Sequence, residues 1–209
     1  RKGAPMSNAK ATTVLLCGVG GQGNLFFGKV LAQVAFLAGY DDRNILKGET
    51  HGMAQMGGPV ISTFGCGEVF SPALVPGTAN VLIAMEKAEV LRPGFLDLLE
   101  PGGTVLMADT RILPHGLKPE AYPSDEAIAA QLEGYRVVSV DVLSIALNLG
   151  DPKGRCANVA MLGVLSTLPP FDVVPEAVWL QALRGISRKP ALWDLNHAAF
   201  MAGRGMQKG

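Results

Sequence analysis

The chain has 209 residues and a mass of 21.9 kDa, with 48% hydrophobic and 17% charged residues. That is the length of one domain with enough apolar content to bury a core, and it excludes a chain that is disordered throughout. The 18 Lys and Arg balance the 18 Asp and Glu, so no basic footprint for nucleic acid exists, and a neutral, apolar-rich chain is biased towards association with a partner.

Arg1–Pro5 precede Met6 and lack the apolar run of a secretory signal; they are expected to be an expression remnant, with Met6 the natural start. Thr12–Cys17 is short, apolar and β-branched at its start, which predicts a buried strand. Glycines follow, and Leu25, Phe26, Val30, Leu31, Val34, Phe36 and Leu37 then fit a helix from Asn24 to a stop at Gly39. Arg43–Lys47 is a candidate second strand. Lys47–Gly58, with Gly48, Gly52, Gly57 and Gly58, has no clean period and is expected to be an ordered loop. Val60–Phe64 predicts a strand, Gly65–Gly67 a turn and Glu68–Phe70 a short partner strand.

Val81–Met85 predicts another buried strand, followed by a helix across Glu86–Leu99 that Pro93 interrupts. Thr104–Asp109 and Tyr135–Asp141 are further strands, and Thr110–Pro123, with three prolines, a surface connection. Ser124 is placed to cap a helix to Leu132, and a helix runs from Val142 to Leu149. The remainder predicts helices at Ala157–Leu168, Pro175–Arg184 and Ala191–Ala202. Strands alternating with helices predict an α/β fold: three α/β/α layers around a mainly parallel or mixed sheet, with a helical extension over residues 155–205. No apolar run approaches the ~18 residues of a membrane span. Cys17, Cys66 and Cys156 are odd in number, far apart and without CxxC spacing. They predict no zinc or iron–sulfur site on this chain alone, no disulfide framework and a reducing, cytoplasmic setting.

Two segments carry candidate chemistry. Gly18-Val19-Gly20-Gly21-Gln22-Gly23 fits G-x-G-x-x-G between a strand and a helix. Missing Cβ atoms let backbone N–H groups approach an anion, and the helix from Asn24 adds its positive end; the plain alternative is a tight turn that binds nothing. A dinucleotide site also wants an acid ending the second strand about 20 residues on. Asp41 and Asp42 precede that strand and Glu49 lies further along, which weakens that reading. The second segment is Gly48-Glu49-Thr50-His51-Gly52-Met53-Ala54-Gln55-Met56-Gly57-Gly58, a poor core former suited to an interface or an active-site wall. His51 there could donate to a substrate carboxylate or carbonyl, or simply order the loop through the backbone. No second His lies within ligand spacing of it, so a metal site is not expected. Glu86 follows a strand at the edge where open α/β sheets place ligands, yet an acid starting a helix is the simpler role; Asp109 and Asp141 are expected to be caps.

The two segments in this order resemble the gamma domain of 2-oxoacid:ferredoxin oxidoreductases. Glu49-x-His51-Gly52-Met53-Ala54-Gln55-x-Gly57-Gly58 narrows the likeness to the small beta subunit of indolepyruvate ferredoxin oxidoreductases. Glu68-Val69-Phe70-Ser71-Pro72, Met85-Glu86, Glu89-Val90-Leu91-Arg92, Asn158-x-x-Met161-Leu162-Gly163 and Asn196-x-x-Ala199-Phe200-x-x-Gly203 continue it over roughly residues 12–204. The resemblance implies a single gamma-type domain over residues 6–209. It implies the small subunit of an enzyme that oxidatively decarboxylates a 2-oxoacid, an aryl pyruvate such as indolepyruvate, to its acyl-CoA and passes electrons to ferredoxin. Thiamine diphosphate and iron–sulfur clusters would sit on a larger partner chain, and coenzyme A at the subunit interface. Gly18, Gly20, Gly21, Gln22, Gly23 and Asn24 would face an anionic group, with His51 and Gln55 near the partner as the candidate catalytic residues.

Two departures stand out. The family usually has Arg-Gly-Gly where this chain has Met56-Gly57-Gly58, and it favours Arg where Gly65 aligns. Met and Gly cannot replace a guanidinium fork on a carboxylate or phosphate, so substrate choice is open. The competing reading is a stand-alone nucleotide-binding module that uses the glycine loop without redox catalysis.

Overall fold

The computed structural model describes residues 10–49, 58–113, 118–187 and 189–206. Its strands are β1 (Thr12–Val19), β2 (Ile45–Glu49), β3 (Pro59–Cys66), β4 (Ala79–Ala84), β5 (Leu99–Ala108) and β6 (Arg136–Val140). They form one mixed sheet in the order β2-β3-β1-β4-β5-β6. Strands β1, β4, β5 and β6 run parallel, and β3 runs antiparallel to both β1 and β2.

The helices are α1 (Asn24–Leu37), α2 (Phe95–Leu98), α3 (Asp125–Gln131), α4 (Val142–Asn148), α5 (Ala157–Leu165), α6 (Glu176–Ile186) and α7 (Pro190–Gly205). Successive strand residues point to opposite faces, and both faces are covered. Val14, Leu16, Val81, Ile83 and Leu106 meet α1 and α4 to α7. Leu15, Cys17, Leu82, Val105 and Met107 meet Val90, Phe95, Ile128 and Leu132 on the other side. This is the three-layer α/β/α arrangement that the alternation predicts. It also explains why the central strands are apolar runs without alternation.

The last three helices complete the thicker layer. Trp179 of α6 is fully buried between Phe171 and Phe200, at centroid distances of 6.0 and 6.1 Å. Helices α5 and α7 touch backbone to backbone. A Cβ on Gly163 would stand 2.1 Å from the Phe200 carbonyl oxygen, and one on Gly203 would stand 1.9 Å from that of Ala160.

Three expectations are corrected. Glu68–Phe70 is not a strand: β3 already has β1 and β2 on its two sides, and Phe70 is left 96% exposed. Glu86–Leu99 is not one helix. It is a 3-10 turn at Lys87–Leu91, a break at Pro93-Gly94 where Gly94 takes φ +83°, and the four-residue α2. Lys47–Glu49 is no loop either; it pairs with Ser62–Phe64 as the end of β2. Elsewhere the caps fall where the residues indicate. Ser124 Oγ accepts from Ala127 N–H at 3.2 Å to start α3, and Gly39 takes φ +98° just past α1.

Candidate functional site

The glycine loop joins the end of β1 to α1. Gly21 and Gly23 adopt φ of +102° and +83°, a conformation open to glycine at little cost. The loop is braced from within. Gln22 Oε1 accepts from Val19 N–H at 2.7 Å, while its Nε2 donates to the Met85 carbonyl at 2.6 Å. Gly20 N–H donates to the Gly58 carbonyl at 2.8 Å. Buried Asn24 donates through Nδ2 to the Val60 carbonyl at 3.2 Å, and its Oδ1 has no hydrogen-bond partner among the described residues.

The backbone at the start of α1 is left with donors. Among the described residues the N–H groups of Gly21, Gly23 and Asn24 meet no acceptor; for Gly23 and Asn24 this is because the first turn of a helix leaves its N–H groups unpaired. The first turn of α1 holds no acid. The predicted anion-facing residues therefore divide into two kinds: Gln22 and Asn24 hold the loop's shape, and the glycine backbone presents the N–H groups. Underneath lies Asn158 of α5, also buried, with its Nδ2 3.5 Å from the Gly23 carbonyl and its Oδ1 unpartnered among the described residues. His51, Gln55 and Met56 lie outside the described residues.

Asp41 and Glu49 do not complete a dinucleotide site. Asp41 caps the turn Asp42–Asn44 and pairs with Arg43 at 3.0 Å. Glu49 ends β2, which is not the neighbour of β1, because antiparallel β3 lies between them. At about 4.8 Å per strand, that sets β2 roughly 10 Å from the strand that leads into the glycine loop. Gly65, aligned with a family arginine, pairs with Thr13 at the far end of β3 from Gly58. A Cβ there would stand 3.1 Å from Val69 Cγ1, so Val69 occupies the space a longer side chain would need.

The C-terminal edge of β4 carries a charged cluster that sequence patterning did not assemble. Glu86 is 2% exposed. Its Oε1 accepts from the Tyr122 hydroxyl at 2.5 Å and from Ile112 N–H at 3.2 Å; its Oε2 accepts from Glu89 N–H at 3.1 Å. The helix-starting role is therefore real, and it is one of three. Lys87 reaches Asp109 and Asp125, each at 2.7 Å. Burial opposes its charge, yet the two carboxylates outweigh burial and hold the ammonium above the usual lysine range. So Asp109 is an ion-pair partner, whereas Asp141 is the predicted cap, accepting from Ser144 N–H at 2.9 Å. Burial, then the Glu86 carboxylate, pushes the Tyr122 phenol up. Tyr122 bore no motif in the sequence, and only its separation of 36 residues from Glu86 hid the pair.

No group of three His, Cys, Asp or Glu among the described residues converges to hold a metal ion. The three thiols are buried, and burial raises each above its ordinary 9.0, Cys66 to about 12 and Cys156 to about 11. They lie on three separate elements, β1, β3 and the N-cap of α5, without the grouping of cluster ligands.

Residues 13–206 match the family described as Pyruvate ferredoxin/flavodoxin oxidoreductase. The chain belongs to that family. A curated relative, the indolepyruvate oxidoreductase subunit IorB of Thermococcus kodakarensis, is 32% identical over 200 residues, covering 93% of this chain and 95% of that one.

Solved oxidoreductase structures share the fold. The pyruvate oxidoreductase subunit PORC of Thermotoga maritima aligns with a TM-score of 0.69 at 20% identity, over 93% of this chain and 96% of that one. The 2-oxoglutarate:ferredoxin oxidoreductase of Magnetococcus marinus, solved with 2-oxoglutarate, coenzyme A and succinyl-CoA bound, aligns with a TM-score of 0.70 at 18% identity. There the likeness covers 96% of this chain and 32% of that one. The fold thus occurs both as nearly the whole of one chain and as about a third of a longer one.

Proposed function

We propose that this chain is the small subunit of a 2-oxoacid:ferredoxin oxidoreductase, with an aryl pyruvate such as indolepyruvate as substrate, acyl-CoA as product and ferredoxin as electron acceptor. The observation that carries this reading is the family match over residues 13–206 together with 32% identity to an indolepyruvate oxidoreductase subunit along nearly its whole length. The domain is residues 6–209, and its complex is cytoplasmic; no helix among the described residues is long and apolar enough to cross a membrane.

A larger partner subunit holds thiamine diphosphate and the iron–sulfur clusters, which supply decarboxylation and one-electron transfer. The donor set of this chain fits that division: its thiols are buried and protonated. What this chain offers is the glycine loop. The N–H groups of Gly21, Gly23 and Asn24, without an acceptor among the described residues, lie at the positive end of α1 and suit a phosphate of coenzyme A at the subunit interface, with Gly18, Gly20 and Gln22 shaping the bend. His51 and Gln55, which lie outside the described residues, are close in sequence to Gly58, whose carbonyl accepts from Gly20 N–H.

The experiment is affinity purification of the chain from its native cells, paired with calorimetry of the isolated chain. A larger co-purifying chain that carries thiamine diphosphate and iron is the expected result, with no micromolar binding of NAD or FAD. Micromolar NAD or FAD affinity without any partner would establish the stand-alone nucleotide module instead.

A further inference from the structure

Glu86 is a buried carboxylate with no Lys or Arg in ion-pair contact among the described residues. Such a group is costly to bury unless its lone pairs are filled, and here neutral donors fill them. Two come from outside its own turn, the Tyr122 hydroxyl and Ile112 N–H; the third is Glu89 N–H. Glu86 therefore clamps the connection after β5 to the end of β4.

The other side of the same peptide unit faces the glycine loop. The carbonyl of Met85, bonded directly to the Glu86 nitrogen, accepts from Gln22 Nε2 at 2.6 Å. Gln22 Oε1 in turn accepts from Val19 N–H at 2.7 Å. Met85 N–H donates to the Cys17 carbonyl at 2.9 Å. A Cβ on Gly18 would stand 2.8 Å from Gln22 Oε1 and 3.1 Å from Met85 Cβ, so the loop packs on this strand end without slack. The chain of contacts runs Tyr122, Glu86, the Met85–Glu86 peptide, Gln22, and then the bend of the loop.

We infer that Glu86 and Tyr122 are positioning residues for the glycine loop: the buried Glu86 carboxylate, fixed by the Tyr122 hydroxyl, sets the Met85 carbonyl that holds Gln22 and so sets the direction of the loop's N–H groups. The inference rests on the reading of that loop as the face met by coenzyme A. Neither residue touches the ligand. Their effect passes through Gln22, so loss of the Tyr122 hydroxyl and loss of the Gln22 side chain are one defect, not two.

The test uses the complex of this chain with its larger subunit, assayed with indolepyruvate, coenzyme A and a viologen dye as electron acceptor. Gln22→Ala, Tyr122→Phe and the double variant are compared. Tyr122→Phe is expected to raise KM for coenzyme A about fivefold, the scale of one hydrogen bond to a charged group partly transmitted. It should leave kcat and KM for indolepyruvate unchanged. In the Gln22→Ala background the second substitution should add nothing, since coupled sites are not additive.

If Gln22→Ala raises KM for coenzyme A and Tyr122→Phe does not, or if the two effects multiply, the positioning role is wrong and the loop reading survives. If Gln22→Ala leaves that KM unchanged, the loop reading falls and the inference with it. Should Tyr122→Phe fail to assemble, Glu86→Gln carries the same comparison. Its amide sets a donor end against one side of the three groups from which the carboxylate accepts, the Tyr122 hydroxyl, Ile112 N–H and Glu89 N–H, and is expected to shift the same KM in the same direction.

Discussion

Asn158 of α5 stands directly behind Gly23: a Cβ on Gly23 would lie 2.2 Å from Asn158 Nδ2. The glycine at this position answers two constraints at once, a left-handed φ and a neighbour 135 residues along the chain.

Gly23→Ala is accordingly expected to destabilise the fold by about 2–4 kcal/mol, from αL strain plus the overlap. In an Asn158→Ala background the overlap disappears and only the strain remains, so the cost should fall to about 1–2 kcal/mol. Urea unfolding of the four proteins measures both terms, and equal costs in both backgrounds would remove Asn158 from the account.

Helical glycines that do and do not face a neighbour should respond with opposite sign. Gly203→Ala drives a methyl into the Ala160 carbonyl, backbone that cannot step aside, and should cost at least about 3 kcal/mol. Gly185 in α6 meets nothing within 4 Å; Gly185→Ala should gain about 0.5–1 kcal/mol. Thermal melting points of the two variants would move in opposite directions.

The buried thiols set the alkaline limit. Burial lifts Cys66 from 9.0 to about 12. Below pH 9 both folded and unfolded thiols keep their protons and the contribution is complete. Between pH 9 and 12 the unfolded thiol ionises first, so stability falls as pH rises through that window. Urea midpoints should drop more steeply above pH 9 for the wild type than for Cys66→Ala. At neutral pH a thiol reagent should label the native protein slowly and the unfolded protein at once.

Ion pairs of similar length should differ in worth. Lys87, its side chain 10% exposed, bridges Asp109 and Asp125, whereas the Arg43 side chain in the pair with Asp41 is 87% exposed. Lys87→Met should lower stability measurably, while Arg43→Met should leave the unfolding midpoint where it was.

Much of the candidate site was legible because its signals are local. The G-x-G-x-x-G run, the apolar period after Asn24 and the Ser124 cap each depend on a few adjacent residues, and each folds as its pattern predicts. What stayed hidden depends on pairing across distance. Glu68–Phe70 has strand-forming residues, but β3 had no free side to offer it. Glu86–Leu99 has helical composition, but Glu86 is drawn into the Tyr122 hydroxyl and Pro93-Gly94 breaks the run. The place of β3 between β1 and β2, which moves Glu49 away from the strand leading into the glycine loop, is a matter of strand order that no local period encodes.

The bare crossing of α5 over α7 ties the far end of the polypeptide to its opening bend. With no side chain between Gly163, Gly203 and the facing carbonyls, α5 has no cushion that could absorb a displaced last helix, and Asn158 rides on α5. Under the proposed reading of the glycine loop, a selection for weakened coenzyme affinity would recover changes around position 203 alongside those near position 23.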